Sequence, residues 1–307
     1  MRNWEQWTEE TLNVSGIEYC FFEPMRQHTT FRIGGPARVF ARPADEQQLR
    51  LLLKYCREGD VPCMVLGNGS NLLVSDEGYE GVVISLNKAF SECSISGNCL
   101  KAGGGLLLGT AARRAQEASL AGMEFAAGIP GTVGGALVMN AGAYGSEIKD
   151  ILKSAAVMTP EGRILHLDAK ELDLGYRRSC IPQMGYVVME AEFELMTGDK
   201  EVIGARMREL ALRRREKQPL EYPSAGSTFK RPEGYFAGKL IEEAGLKGAC
   251  VGDAQVSEKH CGFVINRGNA AAEDVMELCR RVQKQVEETF GVRLEMEVKR
   301  LGRFKQQ

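Results

Sequence analysis

Apolar residues recur at helical spacing in several stretches of the chain. Residues 45–58 place Leu49, Leu52, Leu53 and Cys56 on one face, which predicts an amphipathic helix. Residues 106–120 read as a second, with Gly122 as its cap. A third, residues 201–217, ends in Arg213-Arg214-Arg215 with Pro219 beyond, and basic residues there complement the helix dipole. Residues 236–244 form a short helix stopped by Gly245, and Ala272 to Phe290 a long one with Val275, Leu278, Cys279, Val282 and Val286 in its stripe. Between the helices, short apolar or alternating runs predict strands at 38–41, 62–66, 82–86, 94–100, 101–105, 187–195, 262–266 and 292–301. Residues 155–158 and 163–167 alternate around Pro160-Glu161-Gly162, the signature of a hairpin. Residues 1–30 read as a short helix and a connecting arm, followed by Thr29-Thr30-Phe31-Arg32-Ile33-Gly34-Gly35-Pro36-Ala37.

One stretch fits neither period. Residues 128–144, GIPGTVGGALVMNAGAY, carry glycines at 128, 131, 134, 135 and 142, with Gly145 just beyond and no charged side chain. A flexible linker would be polar. This run instead suits a buried backbone that something else approaches closely, because glycine has no β-carbon and tolerates positive φ. Its N–H groups would then face the phosphates of a nucleotide. A tight packing loop is the competing reading, and the run alone does not separate the two. No Lys-Ser or Lys-Thr follows, and the GxxGxxGG spacing is not GxGxxG, so neither a P-loop nor a Rossmann turn is present. A second glycine loop, Gly67-Asn68-Gly69-Ser70-Asn71, follows the strand at 62–66, with Ser70 and Asn71 as further donors. Asn-Gly is also a common hairpin turn, so this loop gains weight from the other one about 60 residues on.

Composition narrows the class. The chain has 307 residues, which favours about two domains. Its net charge of −2 provides no basic field for nucleic acid. Nine cysteines without a CxxC indicate neither a disulfide framework nor a zinc knuckle, and suit a reducing cytoplasm. The polar, acidic N-terminus lacks a signal core, and no apolar run has membrane-spanning length. Metal-ligand spacing is also missing from the His, Cys and carboxylate positions. No GxSxG surrounds Ser227, and His28, His166 and His260 show no triad signature, which argues against a serine hydrolase.

Five blocks, in order, carry a family resemblance. They are Gly67-Asn68-Gly69-Ser70-Asn71-Leu72-Leu73-Val74, residues 128–145, Gly175-Tyr176-Arg177-Arg178-Ser179, Ser224-Ala225-Gly226-Ser227-Thr228-Phe229-Lys230-Arg231-Pro232 and Leu294-Glu295-Met296-Glu297-Val298. Together they resemble the UDP-N-acetylenolpyruvoylglucosamine reductase (MurB) family, and the likeness runs from about Thr30 to Arg300. The resemblance implies an α+β chain: an FAD-binding fold of the vanillyl-alcohol-oxidase/PCMH type, with two α+β subdomains and a C-terminal α+β substrate domain. The expected division is an arm at 1–30, an FAD-binding domain at 31–200 (subdomains about 31–90 and 91–200) and a substrate domain at 201–307. The length resembles the shorter subclass, which lacks a substrate-covering tyrosine loop.

The resemblance also implies chemistry. FAD would be held without a covalent bond, since neither loop contains His or Cys. Its contacts would come from Gly67, Asn68, Gly69, Ser70, Asn71, Gly128, Ile129, Gly131, Thr132, Gly134, Gly135, Asn140, Ala141 and Gly142. NADPH would supply hydride, and the reduced flavin would pass it to the enolpyruvyl group of UDP-N-acetylglucosamine enolpyruvate, giving UDP-N-acetylmuramate for peptidoglycan synthesis. Ser227 matches the proton donor, Arg177 the arginine facing the substrate carboxylate, and Glu297 the C-terminal glutamate that helps stabilise the enol. Tyr176 and Lys230 are expected at the substrate, with Arg231 beside Lys230. Strand alternation puts Glu295 on the same face as Glu297, so pattern leaves the choice between them open. No obligate protein partner is expected. The competing readings are another flavin oxidoreductase on the same fold and a non-catalytic nucleotide-binding protein.

Overall fold

The computed structural model describes residues 3–86 and 88–305. The chain forms two compact units, each assembled from separate segments. The first takes Met1–Phe21, Val39–Asn68 and Gly81–Arg213; the second takes Phe22–Arg38, Gly69–Glu80 and Arg214–Gln307.

The first unit is built on a five-stranded sheet in the order Ile164–Asp168, Leu152–Met158, Val187–Glu194, Cys99–Gly103, Cys93–Ser96. Every neighbouring pair is antiparallel, and the expected hairpin forms its edge, with Met158 opposite Ile164. The helix Leu108–Glu117 buries Leu108, Ala111, Ala112 and Ala115 in the same core as Ala102 and Ala191 of the sheet. Small residues let helix and sheet approach closely, and close packing is what makes an alanine-rich face cohesive. A four-stranded sheet, most of it in this unit, has the order Glu18–Pro24, Pro36–Arg42, Tyr79–Ser85, Cys63–Leu66. The helix Glu46–Glu58 buries the predicted Leu49, Leu52, Leu53 and Cys56, and Asp45 caps it by accepting from the Gln48 N–H at 2.8 Å.

The second unit packs the helix Ala272–Phe290 on a three-stranded antiparallel sheet, Cys250–Val251, Ala254–Val256 and Val264–Asn266. Val275, Leu278, Cys279, Val282 and Val286 are all buried, as the helical stripe predicts. Gly291 ends that helix at φ +67°, a conformation glycine adopts without strain.

Three expectations are corrected. The segment 292–301 is not a single strand: Met296 makes an isolated bridge to Phe229, and only Lys299–Leu301 forms a strand, parallel to Leu72–Val74, which is itself three residues long. Strand length here is limited by the partner, not by the alternation. Gly122 does not cap the helix before it; that helix ends at Glu117, and the chain then forms Leu120–Ala121, paired with Met196–Thr197. The arm at 1–30 contains the strand Glu18–Pro24. Among the described residues, no helix is long and apolar enough to cross a membrane.

Candidate active site

In the first unit the two glycine loops are packed on each other. A β-carbon on Gly67 would lie 2.4 Å from Oγ1 of Thr132, and the Asn68 side chain donates to the Pro130 carbonyl at 2.6 Å. Thr132 is buried and caps a short helix, Val133–Val138, which the sequence did not reveal inside the glycine run. Its Oγ1 accepts from the Gly135 N–H at 3.2 Å. The N–H groups of Val133 and Gly134 donate to Leu106 and Gly104 carbonyls, both at 2.8 Å. Three amides of this run therefore serve the protein itself. A side chain at Gly134 would crowd the Gly104 carbonyl, at 3.0 Å. Among the described residues, the N–H groups of Asn68, Gly131 and Thr132 donate to no protein acceptor. They form the kind of main-chain donor set that suits a phosphate.

The end of the run holds the arginine block. Asn140, fully buried at φ +40°, donates to Glu147 at 3.0 Å and to the Gly175 carbonyl at 3.1 Å, and accepts from the Lys149 N–H at 2.9 Å. Its side chain is thus a clamp between two loops. Ala141 donates its N–H to the Ala136 carbonyl at 2.8 Å, and Ile129 donates to Ala126 at 3.0 Å. Gly128 is exposed. The Ser179 hydroxyl donates to the Val138 carbonyl at 2.9 Å. Arg177 sits at φ +55°, donates to the Gly142 carbonyl at 3.4 Å, and places its guanidinium carbon 5.1 Å from the Tyr176 ring centroid. A left-handed arginine is uncommon, and such residues cluster at functional sites. Tyr176 itself is half exposed.

The second unit carries the other candidates. Gly69 has φ +58°, and a β-carbon there would lie 2.0 Å from the His28 carbonyl oxygen. No residue but glycine fits so close an approach. Among the described residues, the Gly69 and Ser70 N–H groups also donate to no protein acceptor. Asn71 donates its side-chain amide to the Glu297 carbonyl at 3.3 Å and accepts from the Lys299 N–H at 3.0 Å. The serine block is pinned on both sides. Thr228 donates its N–H to Gly262 and accepts at its carbonyl from Glu297, each at 2.8 Å, while its buried hydroxyl accepts from the Val264 N–H at 2.8 Å. Ser224 bridges Ile265, and Phe229 bridges Met296. Between these anchors Gly226 takes φ +78° in open space, and Ser227 is exposed.

The two carboxylates left open by the sequence differ here. Glu295 is largely exposed and ion-paired with Lys230. Glu297 is half-buried, on the segment bonded to Thr228 and Asn71. Thr228 and the clamp made by Asn140 were beyond sequence reasoning as structural anchors, because nothing in a residue's type reports where its hydrogen bonds go. Among the described residues, no group of three His, Cys, Asp or Glu could hold a metal ion.

These loops on this fold define a flavin-binding protein: a family model described as an FAD binding domain matches residues 37–168. A second, described as the C-terminal domain of UDP-N-acetylenolpyruvoylglucosamine reductase, matches residues 218–301. Relatives named UDP-N-acetylenolpyruvoylglucosamine reductase occur in Agathobacter rectalis, 55% identical over 92% of this chain and 93% of that protein, and in Clostridioides difficile, 51% identical over 91% and 92%. The solved structure of UDP-N-acetylenolpyruvylglucosamine reductase (MurB) from Thermus caldophilus matches with a TM-score of 0.80 at 38% identity, covering 93% of this chain and 99% of that one. The chain belongs to the UDP-N-acetylenolpyruvoylglucosamine reductase family. It is an FAD-dependent enzyme, and its FAD-binding portion has the α+β fold of the vanillyl-alcohol-oxidase/PCMH type.

Proposed function

We propose that this chain reduces UDP-N-acetylglucosamine enolpyruvate to UDP-N-acetylmuramate, using NADPH, in the synthesis of peptidoglycan precursors. Bound FAD supplies the hydride chemistry, and the protein supplies position and charge. In the first unit the N–H groups of Asn68, Gly131 and Thr132 would hold the FAD diphosphate, with Gly67, Gly134, Gly135 and Gly142 providing close packing and Asn140 and Ala141 keeping the run in shape; Gly69 and Ser70, in the second unit, are assigned to the same cofactor. Ser227 delivers the proton to the carbon beside the substrate carboxylate. A serine hydroxyl is a weak acid, so its contribution depends on placement. Arg177 grips that carboxylate through its planar fork and stabilises charge as the enolate develops. Glu297 supports the enol, and Tyr176 and Lys230 contact the substrate. The chain would work in the cytoplasm: nine cysteines without a CxxC suit a reducing compartment.

The observation that carries this reading is the hydrogen bond from the Glu297 N–H to the carbonyl of Thr228, the residue after Ser227, at 2.8 Å. It pairs the main chain of the segments that carry Ser227 and Glu297, which supports assigning both to one site. The test is Ser227→Ala assayed one half-reaction at a time. NADPH should bleach the flavin at the wild-type rate, whereas reoxidation by the enolpyruvyl substrate should slow by about 10²- to 10⁴-fold. Equal rates in both halves would remove Ser227 from the mechanism.

A further inference from the structure

The segment Thr29-Thr30-Phe31-Arg32-Ile33-Gly34 plays no part in the chemistry described so far, yet it touches two loops that do. Thr30 is half-buried. Its hydroxyl donates to the Ser224 carbonyl at 2.7 Å, and its N–H donates to the Gly69 carbonyl at 3.3 Å. Gly69 belongs to the glycine loop at 67–71, and Ser224 opens the serine block three positions before Ser227. One residue therefore joins the two.

Its own position is over-determined. Thr29 donates its hydroxyl to the Ile33 carbonyl at 3.1 Å, and its carbonyl accepts from the Arg32 N–H at 3.1 Å. The buried Asn266 side chain donates to the Phe31 carbonyl at 3.2 Å. Phe31 and Ile33 are buried in the same core as Ala225 and Phe229, the residues that flank Gly226-Ser227-Thr228. On the glycine side, the main chain of His28 and Thr29 presses against Gly69, 2.0 Å and 2.9 Å from where a β-carbon would be. The segment is a rigid block with one polar side chain directed at the serine loop.

That loop needs such a brace. Thr228 and the Ser224–Ile265 bridge hold its ends, but Gly226 has nothing within 4 Å of its β-carbon position, and Ser227 is exposed. We propose that Thr30 is a positioning residue for proton transfer, its hydroxyl fixing Ser224 and so the place of Ser227 relative to the glycine loop. This rests on the role given above to Ser227. A hydroxyl that donates by placement and not by acidity is the case in which a small shift costs most.

The test compares Thr30→Val with Thr30→Ser in the FAD-loaded protein. Valine keeps the branched shape and the N–H bond to Gly69 and removes only the side-chain donor. Hydrogen–deuterium exchange gives a readout independent of turnover. In Thr30→Val the peptide covering 224–229 should exchange faster, flavin reduction by NADPH should keep its rate, and reoxidation by the enolpyruvyl substrate should slow about tenfold with little change in KM. Thr30→Ser should restore both exchange and rate. Unchanged exchange in Thr30→Val, or equal losses in both half-reactions, would overturn the positioning role. Failure of the wild-type protein to pass hydride to the substrate would instead end the parent reading, and this role with it.

Discussion

Gly67 and Thr132 lie so close that a β-carbon on the glycine would stand 2.4 Å from the threonine oxygen. Sixty-odd residues separate them in sequence, and the contact joins the two glycine loops within the first unit, which contains Gly67 and Asn68 of one and all of the other. The same oxygen accepts from the Gly135 N–H, so displacing it also uncaps the helix Val133–Val138.

Gly67→Ala should therefore act at both loops. Overpacking of this kind costs about 1–3 kcal/mol. FAD affinity should fall by about tenfold or more, since each 1.4 kcal/mol is a factor of ten. Flavin fluorescence titration measures it, and wild-type affinity in the variant would mean the loops do not carry the cofactor together.

Burial differs between two carboxylates that alternation placed on one face: Glu295 is largely exposed beside Lys230, and Glu297 is half-buried. Exposed pairs contribute about 0–1 kcal/mol to stability. Glu295→Gln should leave flavin reoxidation within about twofold, whereas Glu297→Gln should slow it by about 10²- to 10⁴-fold. Stopped-flow absorbance of the reduced flavin resolves the two, and the reverse order would reassign the acid.

Arg177 donates to the Gly142 carbonyl and lies against the Tyr176 ring. Lysine keeps the charge but loses the planar two-pronged donor and the face that stacks on an aromatic ring. Arg177→Lys should lower kcat/KM for the enolpyruvyl substrate by about tenfold or more, with FAD content unchanged. Steady-state kinetics on the purified holoenzyme decides this, and a variant with wild-type kcat/KM would show that charge alone is sufficient.

His260 gives stability a pH dependence. Burial holds its imidazole below the ordinary 6.5, and a hydrogen bond with its own backbone and the nearby Glu242 carboxylate, which act the other way, only partly offset it. Its ring also accepts from the Gly262 N–H at 3.1 Å. The folded protein therefore resists a proton that the unfolded chain accepts readily. Stability from this group is intact above pH 6.5 and is lost as pH falls through that value towards the lower folded pKa. His260→Asn retains an acceptor for Gly262 but does not titrate there. Between about pH 7.5 and 5.5 the wild-type melting temperature should drop on the order of 2 °C more than the variant's. Parallel melting curves over that range would contradict the assignment.

The helices at 272–290 and 46–58 were legible because their evidence is local. Residues 272–290 bury the stripe that helical periodicity picks out, and residues 46–58 do the same. The hairpin at 152–168 was read from alternation around Pro160-Glu161-Gly162 for the same reason. By contrast, the run at 292–301 alternates from Val292 to Val298 yet forms a strand only at Lys299–Leu301, where it meets Leu72–Val74, a partner far away in sequence that offers three residues. The helix Val133–Val138 was hidden by glycines that disfavour helix, and it forms because Thr132 caps it and Ala136 and Leu137 are buried.

The sequence by itself established the amphipathic helices, the two glycine loops and, through five ordered blocks, the family. It also nominated Ser227, Arg177 and Glu297, since a hydroxyl, a guanidinium and a carboxylate are recognisable as types. Tertiary structure alone decided that Glu295 is exposed beside Lys230 while Glu297 is half-buried, that Asn140 is a clamp, and that Thr30 joins Gly69 to Ser224. Periodicity reports a residue's neighbours along the chain, whereas a hydrogen bond between residues 194 apart exists only once the chain has closed that distance.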